Sequence, residues 1–225
     1  KGAPYELMLP VTIRTLDSEI SFLQPLTAEK TIIARTLESQ PLELVIDQEY
    51  DLMRRPSKEE RYPSWSRLLA DPDVILVLAS ENLRNIYEPF LEMGARRSWE
   101  TVSAEEFESA DKSGRAIIIL GESAGYKGLF GPSDHHGSGM TIETRFHPLQ
   151  EETVVALITS SSMEETAAVM HRLEHYGRYS TLHFKGGKIQ EQRISDSTAG
   201  IRIEITPEPG GFALSQLADF DRLVD

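Results

Sequence analysis

Three short runs constrain this chain more than anything else in it: residues 74–79, Ala116–Leu120 and residues 154–158 are apolar at every position. A strand with one wet face alternates, whereas a strand covered on both faces does not, so uninterrupted runs of five or six point to a sheet sandwiched between helices. Amphipathic stretches lie between them. Residues 80–93 read as a helix closed by Gly94, and residues 162–176 as a second. In the second, Ser162 and Glu165 have capping-box spacing, Ala167, Met170, Leu173 and Tyr176 form the apolar stripe, and Gly177 stands where a left-handed cap belongs. The fold class expected is α/β, with a mostly parallel, three-layer sheet domain.

The first fifth of the chain has a different texture. Residues 7–15, 19–23, 30–37 and 42–46 are rich in apolar and β-branched types, and Asp17-Ser18, Pro25 with Thr27, and Ser39-Gln40-Pro41 break them. Such spacing predicts a small, partial β-sandwich ahead of the α/β domain. Three prolines between residues 54 and 72 mark a connection with one helical turn near 64–70. The predicted organisation is therefore a sandwich over 1–60 and an α/β domain over 61–225. Near the end, residues 181–184 and 189–194 flank Gly186-Gly187, a two-residue hairpin signal, residues 201–205 alternate as a strand, and residues 212–223 read as a short helix.

Composition narrows the partners. With 36 acidic against 23 basic side chains the net charge is −13, which repels phosphate backbones, so nucleic acid is excluded as a first guess. No stretch approaches the roughly 18 apolar residues of a membrane-spanning helix. The absence of cysteine removes thiolate chemistry and cysteine zinc sites. The chain begins at Lys1, and Lys1-Gly2-Ala3-Pro4 carries no apolar signal core, so it is read as a piece of a longer protein.

Three constellations could carry chemistry. Gly121-Glu122-Ser123-Ala124-Gly125 is a literal G-x-S-x-G behind an apolar strand, where a nucleophile elbow sits, and it is similar to the corresponding segment of type-B carboxylesterases. Against a serine esterase stand the breakers Gly128, Gly131 and Pro132 where a helix should follow, and the lack of a His-Gly-Gly-Gly segment. If Ser123 were the nucleophile, His135 or His136 would be its base and Asp134 or Asp196 the orienting acid. Asp134, His135 and His136, with His147, also offer nitrogen and oxygen ligands of the kind zinc takes, although adjacent histidines in a glycine-rich loop ordinarily just solvate it. A small-ligand pocket at the edge between Gly121 and Gly139 is a third use of the same residues. Finally, His171-Arg172-Leu173-Glu174-His175 matches H-x-x-E-H, but nothing downstream reads as a helix able to supply another ligand. The acidic Glu105, Glu106 and Glu108 form a solvated face.

Two segments carry a resemblance. Pro4-Tyr5-Glu6-Leu7 with Leu9-Pro10-Val11, and the run from Leu42 through Asp47-Gln48-Glu49-Tyr50-Asp51-Leu52-Met53-Arg54-Arg55, resemble the small β-sandwich domain that follows the catalytic domain in M1-family zinc aminopeptidases. The family pattern there is Asp-Pro-x-Tyr-Asp-x-Phe-Arg; this chain has Gln48 for the proline and Met53 for the phenylalanine. The run from His175 to Ser180, leading into Leu182 and Phe184, is similar to a tail segment of some bacterial members. The resemblance implies a non-catalytic C-terminal region whose partner is the parent's catalytic domain. It also implies that zinc belongs to that domain and not to this chain, and it favours a periplasmic or secreted parent. Neither H-E-x-x-H nor G-x-M-E-N occurs here, so no catalytic or metal residue is carried over.

Overall fold

The computed structural model describes residues 6–28, 30–109, 114–122, 126–127, 131–133, 137–148, 150–208 and 211–214. In chain order the elements are β1 (Leu7–Thr15), β2 (Glu19–Leu26), β3 (Pro41–Ile46), α1 (Trp65–Leu69), β4 (Val74–Leu78), α2 (Arg84–Arg96), β5 (Glu100–Ser103), α3 (Ala104–Ser109) and β6 (Ala116–Leu120). They continue with β7 (Met140–His147), β8 (Gln150–Ser160), α4 (Met163–Met170), β9 (Thr181–Lys185), β10 (Lys188–Arg193), β11 (Ile201–Glu208) and β12 (Gly211–Leu214). Two compact units result, one of residues 1–61 with 197–225, the other Tyr62–Asp196. No helix among the described residues is long and apolar enough to cross a membrane.

The first unit is one antiparallel sheet in the order β12-β11-β3-β1-β2. Leu9, Val11, Ile46, Ile201 and Ile203 form its buried face, against which Phe22, Ile33, Leu44 and Leu52 pack. The sandwich reading is corrected here in two respects. Residues 30–37 form no strand: Ile33 lies on the apolar face and the Arg35 guanidinium sits 4.1 Å over the Phe22 ring, so the segment covers the sheet instead of joining it. Strand 201–205, expected in the α/β domain, pairs with β3 instead, Ile203 opposite Leu44. Gly200 permits this return, because at φ 74° a side chain there would collide with the Ile46 carbonyl at 2.6 Å. The predicted helix over 212–223 is also overturned where it can be seen: Phe212 and Leu214 belong to β12, and the remainder falls outside the described residues.

The motif running from Asp47 to Arg54 closes the far end of β3. Asp47 is fully buried at φ 53°, a conformation aspartate tolerates, and its carboxylate accepts the Leu52 N–H at 3.1 Å and the Arg54 Nε at 2.6 Å. Arg54 then reaches Glu60 at 2.8 and 2.5 Å, and Glu60 also takes the Ser57 N–H at 2.6 Å. One guanidinium thus holds two buried carboxylates and ties a fourteen-residue stretch into a fixed corner.

The second unit carries a seven-stranded sheet, β10-β9-β7-β8-β6-β4-β5. It is α/β, but the expectation of a mostly parallel sheet is corrected: β4–β5, β4–β6 and β6–β8 are parallel, whereas β7–β8, β7–β9 and β9–β10 are antiparallel. The apolar runs are the strands of the parallel half, as predicted. Alternate side chains of β4 and β6 go to opposite faces. Leu76, Leu78, Ile118 and Leu120 meet Trp65, Tyr87, Phe90 and Val169 from α1, α2 and α4, while Ile75, Val77, Ile117 and Ile119 meet Phe107 of α3 and Tyr126.

Helix boundaries differ from the sequence reading for local reasons. The first predicted helix begins with a 3-10 turn, Glu81–Leu83, and runs through Gly94 to Arg96, because Gly94 is a packing position: a Cβ there would stand 3.0 Å from Leu76 Cδ2. In the second, Ser162 caps the Glu165 N–H as expected, but α4 stops at Met170 and a 3-10 turn covers Leu173–Tyr176. Gly177 is right-handed at φ −54°, so it is no left-handed cap; it is a packing position, where a Cβ would stand 2.8 Å from Ser66 Cβ.

The ends of the second unit meet at one side chain. Ser180 Oγ donates to the Pro63 carbonyl at 2.5 Å and accepts the Ser195 N–H at 3.0 Å. With its entry and exit joined internally and two apolar clusters packed on its sheet, Tyr62–Asp196 expressed alone is expected to fold and to unfold in one cooperative transition. Chemical denaturation followed by near- and far-ultraviolet dichroism checks this, and non-coincident curves would count against it.

Candidate functional site

Ligands of open α/β sheets lie outside the carboxyl ends of the strands, where the strand order reverses. Here the crossover through α2 places β5 on one side of β4, and the crossover through α3 places β6 on the other, with the two helices on opposite faces. The reversal falls between the ends of β4 and β6, at Ala79 and Gly121. The chain fills this point itself. A Cβ on Gly121, at φ 92°, would lie 2.6 Å from Leu83 Cδ1, 3.4 Å from the Ala79 Cβ and 3.6 Å from the Tyr87 ring. The Tyr87 hydroxyl accepts the Ser160 N–H at 3.1 Å, and burial pushes its pKa up to about 12, so it remains a neutral phenol and cannot serve as a base near neutrality.

Beside this point, the antiparallel half shows a polar face. Met140, Ile142 and Phe146 pack on the helical side, so Thr141, Glu143 and Arg145 take the other. Across the strands, Thr159, Thr141 and His183 form one row, and Leu157, Glu143, Thr181 and Arg193 the next. Thr141, Glu143, Thr159, Thr181 and His183 are all buried. The Thr141 hydroxyl lies 3.1 Å from His183 Nδ1, Arg145 donates to Glu143 at 2.7 Å, and the same guanidinium reaches the Pro132 carbonyl at 2.8 Å. The face therefore ties Pro132 to the sheet through a charge-assisted hydrogen bond from Arg145. At its margin an open cavity of about 410 Å³ is lined by Glu122, Lys127, Gly131, Pro132 and Ser133, with Glu122 and Lys127 paired at 2.8 Å.

Of the predicted site residues, Ser123, Asp134, His135 and His136 lie outside the described residues. His147 is buried at the end of β7, opposite Gln150. Asp196 follows β10, and three strands separate β10 from β6, a span of about 19 Å at the usual strand spacing. The H-x-x-E-H residues fall past the end of α4. His171 lies beyond the last residue of α4, His175 is in the 3-10 turn, both are exposed, and Glu174 pairs with Arg97 at 3.5 Å. Among the described residues no group of three or more His, Asp or Glu is placed to hold a metal ion.

Sequence reasoning missed Thr141, Glu143, Arg145, Thr159, Thr181 and His183. The signal was present: apolar residues at 140, 142 and 146, with polar ones between, are a half-buried strand by period. No protein-family model matches the chain, and no curated protein matches it.

Proposed function

We propose that this chain is a non-catalytic accessory region of an M1-like zinc metallopeptidase, which packs on the parent's catalytic domain or restricts access to its cleft. The observation that carries this reading is the role of the motif on which the resemblance rests. Arg54 joins the buried carboxylates of Asp47 and Glu60 in a structural lock, so these residues shape a corner of the sheet. The second unit fits the same role, since Leu83 and Tyr87 occupy the point where an α/β sheet would receive a ligand. The mechanism is steric, with bond making left to the parent's zinc domain.

Reading the gene upstream of the Lys1 codon tests this. An in-frame H-E-x-x-H with its downstream glutamate is the expected result, whereas a start codon immediately before Lys1 overturns it. The serine-esterase alternative is tested separately with p-nitrophenyl acetate: wild type and Ser123→Ala should give the same background rate, and serine-dependent turnover would reverse the conclusion.

The cavity beside Glu122 and Lys127 favours a second reading, a small-ligand module at the Gly121 to Gly139 edge. A thermal-shift panel of zinc and small polar metabolites decides it, because a ligand of the native state raises the melting temperature.

A further inference from the structure

We propose that the outer edge of β2 pairs with the same edge of a second copy of this chain, joining their five-stranded sheets into one. β2 ends the sheet order, and among the described residues no strand lies on its outer side. Its hydrogen-bonding directions follow from its neighbours. The Asp47 N–H donates to the Pro10 carbonyl at 2.9 Å, so Pro10 faces β3, and its cross-strand partner Leu23 must face outward. By alternation Glu19 and Ser21 face outward too, and Pro25, next in the series, has no N–H to offer.

This edge differs from the one at β10, where Lys188, Glu191 and Arg193 supply the charges that ordinarily prevent edge pairing. On β2 the one charged residue, Glu19, is already matched by Arg14 at 2.9 Å. Apolar side chains remain exposed along it: Leu23 at 58% with Met8 of β1 at 51% on the same face, and Ile20 at 38% on the other.

A second copy fits this edge by symmetry and by the side-chain pairing that results along it. With the twofold axis at Ser21, each outward donor of one strand meets an outward carbonyl of the other: Ser21 faces Ser21, and Glu19 faces Leu23 of the second copy. Ile20 then lies across from Phe22, an apolar cross-strand pair. No like charges are opposed, and Pro25 falls outside the ladder. The net charge of −13 on each copy opposes the approach, so association should strengthen as salt screens it.

The inference is independent of the accessory reading, because it concerns this chain's edge and not its parent. Sedimentation equilibrium of the full chain over a concentration series, at low and high salt, is expected to show a monomer–dimer equilibrium shifted toward dimer by salt. Hydrogen exchange should slow at the amides of Ser21 and Leu23 as concentration rises. Ser21→Pro, which removes an outward donor and no ladder bond within the sheet, should abolish the dimer, and Ser21→Ala should retain it. A monomer under all conditions overturns the proposal. So does a dimer with unchanged exchange at Ser21 and Leu23, or one that persists in a folded Ser21→Pro variant.

Discussion

Arg54→Met is expected to cost the first unit about 3–5 kcal/mol, the range seen when one partner of a buried charge cluster is removed. Methionine nearly matches the volume but removes the guanidinium that joins the Asp47 and Glu60 carboxylates, both with fully buried side chains. Urea unfolding resolved by hydrogen exchange in β1, β3 and β11 measures the loss. Replacing all three together, with Asp47→Asn and Glu60→Gln added, should recover most of it, since neutral amides need no counter-charge. Acid should act in the same direction as the single substitution. Burial alone would raise the Glu60 carboxyl, but the Arg54 hydrogen bonds, the Ser57 N–H and the Arg54 charge outweigh it and hold the group below its ordinary 4.5. The folded state therefore binds fewer protons than the unfolded state. Its contribution is complete above that ordinary value and is lost as pH falls through the lower, folded one. The midpoint of the first unit should drop steeply in that window, and Glu60→Gln should flatten the drop. A midpoint insensitive to acid in the wild type would refute the assignment.

In the second unit the largest effect is expected from Gly139→Ala, at least about 3 kcal/mol from strain and overpacking together. Gly139 has φ 82° and lies directly against the Phe184 carbonyl oxygen, with the His183 ring 3.3 Å from where a Cβ would stand. The backbone cannot yield easily, because the Gly139 N–H donates to Ser161 Oγ at 3.0 Å and its carbonyl accepts the Ser161 N–H at 2.9 Å. Gly137→Ala is the matched comparison. At φ 66° with nothing within 4 Å among the described residues, it should show only the backbone penalty of about 1–2 kcal/mol. Denaturant midpoints of the two variants give the answer; equal losses would mean that the close approach of β7 to β9 contributes nothing.

The two positions also show where sequence reasoning reaches. The Asp47–Arg54 motif was visible as a pattern, and the resemblance it carries suggested a structural part of a larger enzyme. Its action through Glu60 was not visible, because the Lys58-Glu59-Glu60-Arg61 run reads as a solvated stretch in any local window. Gly139 was legible only as a turn residue. Its requirement comes from Phe184, a residue of β9 that a local window cannot bring beside it.

Strand existence was determined by short-range physics. Apolar runs must be covered on both faces, alternating segments on one, and Gly186-Gly187 with φ values of 56° and 69° must turn as a hairpin; each conclusion needs only a few neighbouring residues. The Ser162 cap belongs to the same class, because its partner is three residues away. Which strands meet was decided by the tertiary structure alone. β11 joins β3 through contacts such as Arg202 to Glu43, 159 residues apart, and β7 inserts between β8 and β9 to make half of the second sheet antiparallel. Strand pairing is fixed by the match of whole faces and by the loops that can reach, and neither is encoded in the period of a single segment. The same holds for the candidate site: Leu83 and Tyr87 close on Gly121 only because α2 folds back over β4 and β6.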